Sequence, residues 1–122
     1  MKDEGRQDLR KCTNVFALRV VRLCTNSPNT GEAQVIGRQL LRSGTSVGAH
    51  YRESYRARSA AELISKIGGG QQEFEESIYW IDLLTEAGIV APDRLADLQS
   101  EANELMAIFA SSIITAKKNH KK

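Results

Sequence analysis

Apolar residues recur along most of this chain at alternating spacings of three and four, the period that lines one side of an α-helix. Leu63, Ile67, Gly70, Phe74, Ile78, Ile81 and Leu84 form one such series, and Leu95, Leu98, Ala102, Leu105, Phe109, Ser112 and Ala116 form another that persists for three heptads. Nearer the start, Val15, Phe16, Leu18, Val20, Val21, Leu23 and Cys24 make a segment apolar over much of its circumference, which predicts a well-buried helix. Between these segments, Ile36, Leu40, Gly44, Val47 and Tyr51 fall within a sector about 80° wide at roughly 100° per residue, a fourth core seam. No stretch alternates apolar and polar positions over a strand length.

The punctuation agrees with four helices. A polar arm precedes the first, which ends near Asn26, where Asn-Ser-Pro-Asn-Thr-Gly gathers turn formers and Pro28 disfavours helical geometry at the residue before it. Asn29 and Glu32 have capping spacing for the second helix, and Ser59 and Glu62 for the third. Gly88 is the expected left-handed residue after the third helix, and Pro92 suits the first turn of the fourth. The predicted helices cover about 7–26, 31–57, 60–88 and 92–118. Short connections between long helices specify an all-α fold, an antiparallel up-down-up-down four-helix bundle, as a single domain over residues 1–122. Gly68-Gly69-Gly70 is the local conflict, since each mid-helix glycine costs about 1 kcal/mol against alanine. A continuous helix that uses the glycines for close packing is expected, with a local break as the alternative. A phosphate-binding loop is not expected, because no strand precedes the run and no Gly-Lys-Ser/Thr follows it.

Composition narrows the function classes. A length of 122 residues suits one core. The net charge of +2 does not by itself mark a nucleic-acid binder, so any such role must come from how charge is distributed. Cys12 and Cys24 would lie about 18 Å apart along one helix, out of disulfide range, which predicts reduced thiols in a cytoplasmic protein. The N-terminus lacks a leader pattern and no apolar run reaches membrane-spanning length, so a soluble protein that is not exported is expected.

The run Gln39-Leu40-Leu41-Arg42-Ser43-Gly44-Thr45-Ser46-Val47-Gly48-Ala49-His50-Tyr51-Arg52-Glu53, with Arg56-Ala57-Arg58-Ser59, Tyr79-Trp80 and Glu86-Ala87-Gly88, closely resembles the bacterial four-helix-bundle proteins named for the intervening sequences of 23S ribosomal RNA. The resemblance covers roughly residues 15 to 115. It departs from the family pattern at His50, where Asn is common, and at the Gly-Gly-Gly run. Relatives include the basic, ring-shaped pentameric accessory protein of diversity-generating retroelements. The resemblance therefore implies a homo-oligomer, with a pentamer as one form, and RNA, DNA or a nucleic-acid enzyme as partner; it implies no catalytic activity and no cofactor.

The residues of the motif themselves divide into two features besides the seam. Gln39, Arg42, Ser43, Ser46, His50 and Glu53 share a sector of about 100°, a polar ribbon suited to contact with a neighbouring helix, in which Gln, His and Glu are expected to satisfy one another. Arg38, Arg42, Arg52 and Arg56 form a stripe about opposite the seam. The bland reading of the stripe is ion pairing with acids of the third and fourth helices. The functional one is a phosphate-binding surface, extended by Arg19, Arg22, Lys66 and the lysine tail and multiplied by subunit repetition. A metal site is disfavoured, since His50-Tyr51-Arg52-Glu53 reverses the Glu-x-x-His order of metal-binding bundles and occurs once. Pairing Cys12 or Cys24 with His50 as nucleophile and base lacks an orienting third group. Glu73, Glu75 and Glu76 are expected on a solvated face, with Tyr79 and Trp80 in the core or at a subunit contact. Two functions follow: an oligomeric bundle that associates with RNA or DNA, or an oligomeric scaffold or protein-interaction module with no nucleic-acid role.

Overall fold

The computed structural model describes residues 3–121, with side chains from Leu9 to Asn119. They form four α-helices and, among the described residues, no strand: α1 Asp3–Thr25, α2 Gly31–Ser54, α3 Ala60–Glu86 and α4 Pro92–Lys121. Each helix packs on its sequence neighbours, and α1 also touches α4. Along α1 and α2 the facing residues run in opposite order, Val20 against Gly44 and Thr13 against Gly48; Arg42 and Glu53 of α2 likewise meet Glu73 and Lys66 of α3.

The helix ends show what the sequence specified and where it was shifted. Gly88 takes φ 71°, its N–H bonds the Thr85 carbonyl and that of Ile89 bonds Leu84, the double bond of a Schellman cap. Ser59 caps α3 by accepting from the Glu62 N–H at 3.1 Å. The cap of α2 is Thr30, one residue later than expected, and Asn29 instead accepts from the Gln34 side chain. The expected end of α2 at 57 is corrected to Ser54, because Tyr55, Arg56 and Ala57 bond carbonyls three residues back and tighten the chain into the turn before Ser59. Helix α1 begins at Asp3 rather than 7, and α4 runs to Lys121, past the expected 118.

All four helices meet in one aromatic chain. Phe16 of α1, Phe74 of α3 and Phe109 of α4 are fully buried and Tyr51 of α2 nearly so, with ring centroids 5.3 Å apart for Phe16–Phe74, 5.2 Å for Phe74–Phe109 and 5.7 Å for Tyr51–Phe109. Edge-on and tilted pairs of this kind add to the hydrophobic term. The expected burial of α1 is corrected: Phe16 and Val20 are in the core, but Val15, Leu18 and Val21 are exposed, Leu18 by 44%.

Helix α3 is continuous through its three glycines, and two of them are explained by what lies opposite. A Cβ on Gly70 would stand 2.6 Å from Phe109 Cε2, and one on Gly69 2.8 Å from the His50 ring, whereas one on Gly68 would meet nothing within 4 Å. Gly68→Ala is therefore expected to stabilise the fold by up to about 1 kcal/mol through helix propensity. Gly70→Ala, with the same gain, is expected to destabilise it by about 1–3 kcal/mol through overpacking. Thermal melts of the two variants check this; equal shifts would show that the Phe109 ring does not require the glycine.

Candidate nucleic-acid interface

The polar ribbon faces α3, but Gln39, His50 and Glu53 do not satisfy one another: His50 and Glu53 reach across to α3, and Gln39 pairs with Arg42 within the ribbon. Ser43, fully buried, lies 2.7 Å from Ser77 Oγ, which also donates to the Glu73 carbonyl at 2.8 Å. His50 Nε2 stands 3.8 Å from Glu73 Oε2, Glu53 pairs with Lys66 at 3.1 Å, Gln39 accepts from Arg42 Nε, and Ser46 donates to the Arg42 carbonyl. The Nδ1 of His50 is buried without a hydrogen-bond partner, because that edge of the ring lies on Gly69. The two departures from the family pattern, His50 and the glycine run, thus touch each other.

The serine pair joins two fully buried side chains of α2 and α3. Ser77→Ala would leave Ser43 with only a 3.4 Å approach to the Leu40 carbonyl, while Ser43→Ala would leave Ser77 its bond to Glu73. Chemical denaturation is expected to show a loss of about 1–2 kcal/mol for Ser77→Ala and about 1 kcal/mol for Ser43→Ala, with a double variant that costs less than the sum. Additive losses would mean that the two hydroxyls do not interact.

The arginine stripe does not stay one stripe. Arg42 turns across to α3, 3.3 Å from Glu73 and hydrogen-bonded to Glu76, whose carboxylate pushes the guanidinium further up from its ordinary range. Arg42 is 49% exposed, so these pairs are worth about 1 kcal/mol or less. Arg19 pairs with Glu101 of α4 at 3.1 Å, and Arg58 with Glu62 at 3.7 Å. Glu73 and Glu76 are therefore partners of α2 and not simply a solvated face, while Glu75 is exposed as expected. Arg10, Lys11, Arg22, Arg38, Arg52 and Arg56 have no acidic partner among the described residues. These six lie on α1, α2 or the turn that follows, and Arg94, Lys117 and Lys118 of α4 are likewise without one among the described residues.

A division of charge underlies this pattern. Residues 1–58 carry eleven Lys and Arg against five Asp and Glu, residues 59–116 carry two against ten, and the last six residues add four lysines. The net charge of +2 conceals it, and a tally by halves exposes it directly from the sequence. Helices α1 and α2 form a basic layer, and α3 with α4 an acidic one. The basic layer also carries exposed Leu18, Val21, Val35 and Leu41; the first two belong to the apolar segment expected to bury α1, while the other two lie outside the α2 seam.

The remaining candidates lie elsewhere. Cys24 donates to the Gly37 carbonyl at 3.3 Å, and burial pushes its thiol up; Gly37 is about 20 Å along α2 from His50, so the two do not form a nucleophile and base. Cys12 is exposed. Tyr79 is 54% exposed rather than in the core, and Trp80 is half-buried with its indole N–H donated to Glu76. Among the described residues, no cluster of three His, Cys, Asp or Glu side chains could hold a metal ion, and no helix is long and apolar enough to cross a membrane. The side chain of His120 and those beyond it lie outside the described residues.

Comparison with known proteins agrees with this architecture. The crystal structure of a protein of unknown function from the S23 ribosomal protein family of Bacteroides thetaiotaomicron VPI-5482 is similar with a TM-score of 0.81 and 30% sequence identity, over 86% of this chain and 97% of that one. A search of curated proteins found no match. The family model of the 23S rRNA-intervening sequence proteins matches residues 7–111, which include the whole ribbon, the arginine stripe and the aromatic chain. The chain belongs to the 23S rRNA-intervening sequence protein family.

Proposed function

We propose that this protein is a non-catalytic, antiparallel up-down-up-down bundle that assembles as a homo-oligomer and associates with RNA or DNA through its basic α1/α2 layer. The observation that carries the reading is the set of cations on that layer, Arg38, Arg52 and Arg56 foremost, that have no acidic partner among the described residues. Guanidinium groups left free in this way suit bidentate contact with phosphate oxygens, and binding would follow the backbone rather than the base sequence. Arg42 and Arg19 contribute less, since each is held by a carboxylate.

Exposed Val15, Leu18, Val21, Leu41 and Ile108 support self-association, and the resemblance to pentameric relatives makes five subunits the first number to test. Native mass in solution tests the assembly. Binding of structured RNA at two salt concentrations, with Arg38, Arg42, Arg52 and Arg56 changed together to Glu, tests the interface; binding that is absent or indifferent to the changes would leave the scaffold reading in its place. That second reading has its own support in the same exposed apolar residues, which suit a protein partner.

A further inference from the structure

We propose that the end of the basic layer, where the first turns of α1 with described side chains meet the last turn of α2, is a seat for two adjacent phosphate groups, those of a nucleic-acid strand on the reading just given, on which the choice of source rests. Arg10, Arg52, Glu53, Tyr55 and Arg56 line one hollow there, and Arg10, Lys11, Asn14 and Arg52 line a second beside it. The two hollows share Arg10 and Arg52, so four cations surround a space that adjoining anions would fill. The single carboxylate in the lining, Glu53, is engaged by Lys66 of α3 at 3.1 Å.

Two simpler explanations account for only part of this cluster. Cations at the end of α2 complement the helix dipole, an effect worth about 0.3–1 kcal/mol that one arginine supplies. That explanation does not reach Arg10 and Lys11, which come from α1 and raise the repulsion. Pairing with acids is the second explanation, and none of the four has an acidic partner among the described residues. An anion in the hollow relieves the repulsion of all four at once.

The seat is also held in place. The Arg10 guanidinium carbon sits 5.3 Å from the Tyr55 ring centroid, Tyr55 packs edge-on against Tyr51 at 5.6 Å, and Tyr51 joins the core through Phe109 at 5.7 Å. The aromatic chain therefore runs from the centre of the bundle to the wall of the hollow, which fixes Arg10 before a ligand arrives and lowers the ordering cost of binding. Arg38 lies about 21 Å along α2 from Arg52 and belongs to a separate part of the layer.

The test uses the full chain with pyrophosphate and with a labelled single-stranded RNA as probes, and compares Arg52→Gln/Arg56→Gln with the charge-matched Arg38→Gln/Arg58→Gln. Pyrophosphate at constant ionic strength is expected to raise the melting temperature of the parent and of the control, and to leave R52Q/R56Q unmoved. RNA affinity at 0.1 M salt is expected to fall about 25-fold in R52Q/R56Q and about fivefold in the control, with the salt slope lower by about 1.4 in the former. Without anion, R52Q/R56Q is expected to melt at or above the parent, which separates loss of binding from loss of fold. If pyrophosphate fails to protect the parent and both variants weaken RNA binding alike, the seat is overturned while the nucleic-acid reading stands. If pyrophosphate protects only proteins with Arg52 and Arg56 and no RNA binds, the phosphate seat stands and the nucleic-acid source is overturned. No effect of either probe overturns both.

Discussion

Phe109→Ala is expected to lower the folding free energy by about 3–5 kcal/mol, the range for a large aromatic removed from a core that cannot close over the gap. The ring is fully buried and touches three partners that are themselves constrained: Phe74 at 5.2 Å, Tyr51 at 5.7 Å, and the α3 backbone at Gly70. Tyr51 is tied to Tyr55 and Phe74 to Phe16, so neither can swing into the space without giving up a contact of its own. Gly70 has no side chain to offer. Small domains are stable by about 5–15 kcal/mol, so this one change takes a large share of the total. Urea denaturation should show an earlier midpoint with little change of slope. A loss under about 1.5 kcal/mol would show that the four rings are not the joint between the helices.

Reversal of Arg38, Arg52 and Arg56 to Glu is expected to reduce nucleic-acid affinity at 0.1 M salt by at least about 10²-fold for a single strand and about 10³-fold for a duplex, one counterion-release contribution for each lost contact. The further reversal of Arg42 should add little to the loss of binding, because its guanidinium already lies between Glu73 and Glu76. It should instead destabilise the α2–α3 contact by placing three carboxylates together. The separation of these two effects is the useful part of the experiment. Equal contributions from all four arginines would mean that Arg42 leaves its partners on binding, and no loss from the other three would remove the nucleic-acid interface from this layer.

Much of the fold was legible because helix-forming information is local. The spacing of Leu95 to Phe109, the glycine at 88 and the serine at 59 each act within a turn or two of chain, and each appears where the sequence placed it. The errors in the reading share a different cause. Val15, Leu18 and Val21 have the same side chains as core residues, and no element among the described residues covers them. For Arg42 the pairing reading of the stripe holds, but the partners themselves could not be named, since Glu73 and Glu76 stand more than thirty residues away in sequence. Ser43 could be assigned to a polar ribbon from its position on α2, yet nothing in that segment names Ser77 as its partner. The cationic hollow joins residues 10–14 to residues 52–56, a distance no motif spans.

The contact between His50 and Gly69 also couples two positions whose substitutions would otherwise be judged separately. With a methyl group at 69, the imidazole would find it 2.8 Å away and lose its seat beside Glu73; with glycine there and the smaller asparagine at 50, only helix propensity suffers, by about 1 kcal/mol. The cost of a side chain at 69 therefore depends on which residue occupies position 50. Alanine at 69 is crowded with histidine at 50 and relieved with asparagine there, so the two positions are energetically linked even though nineteen residues separate them.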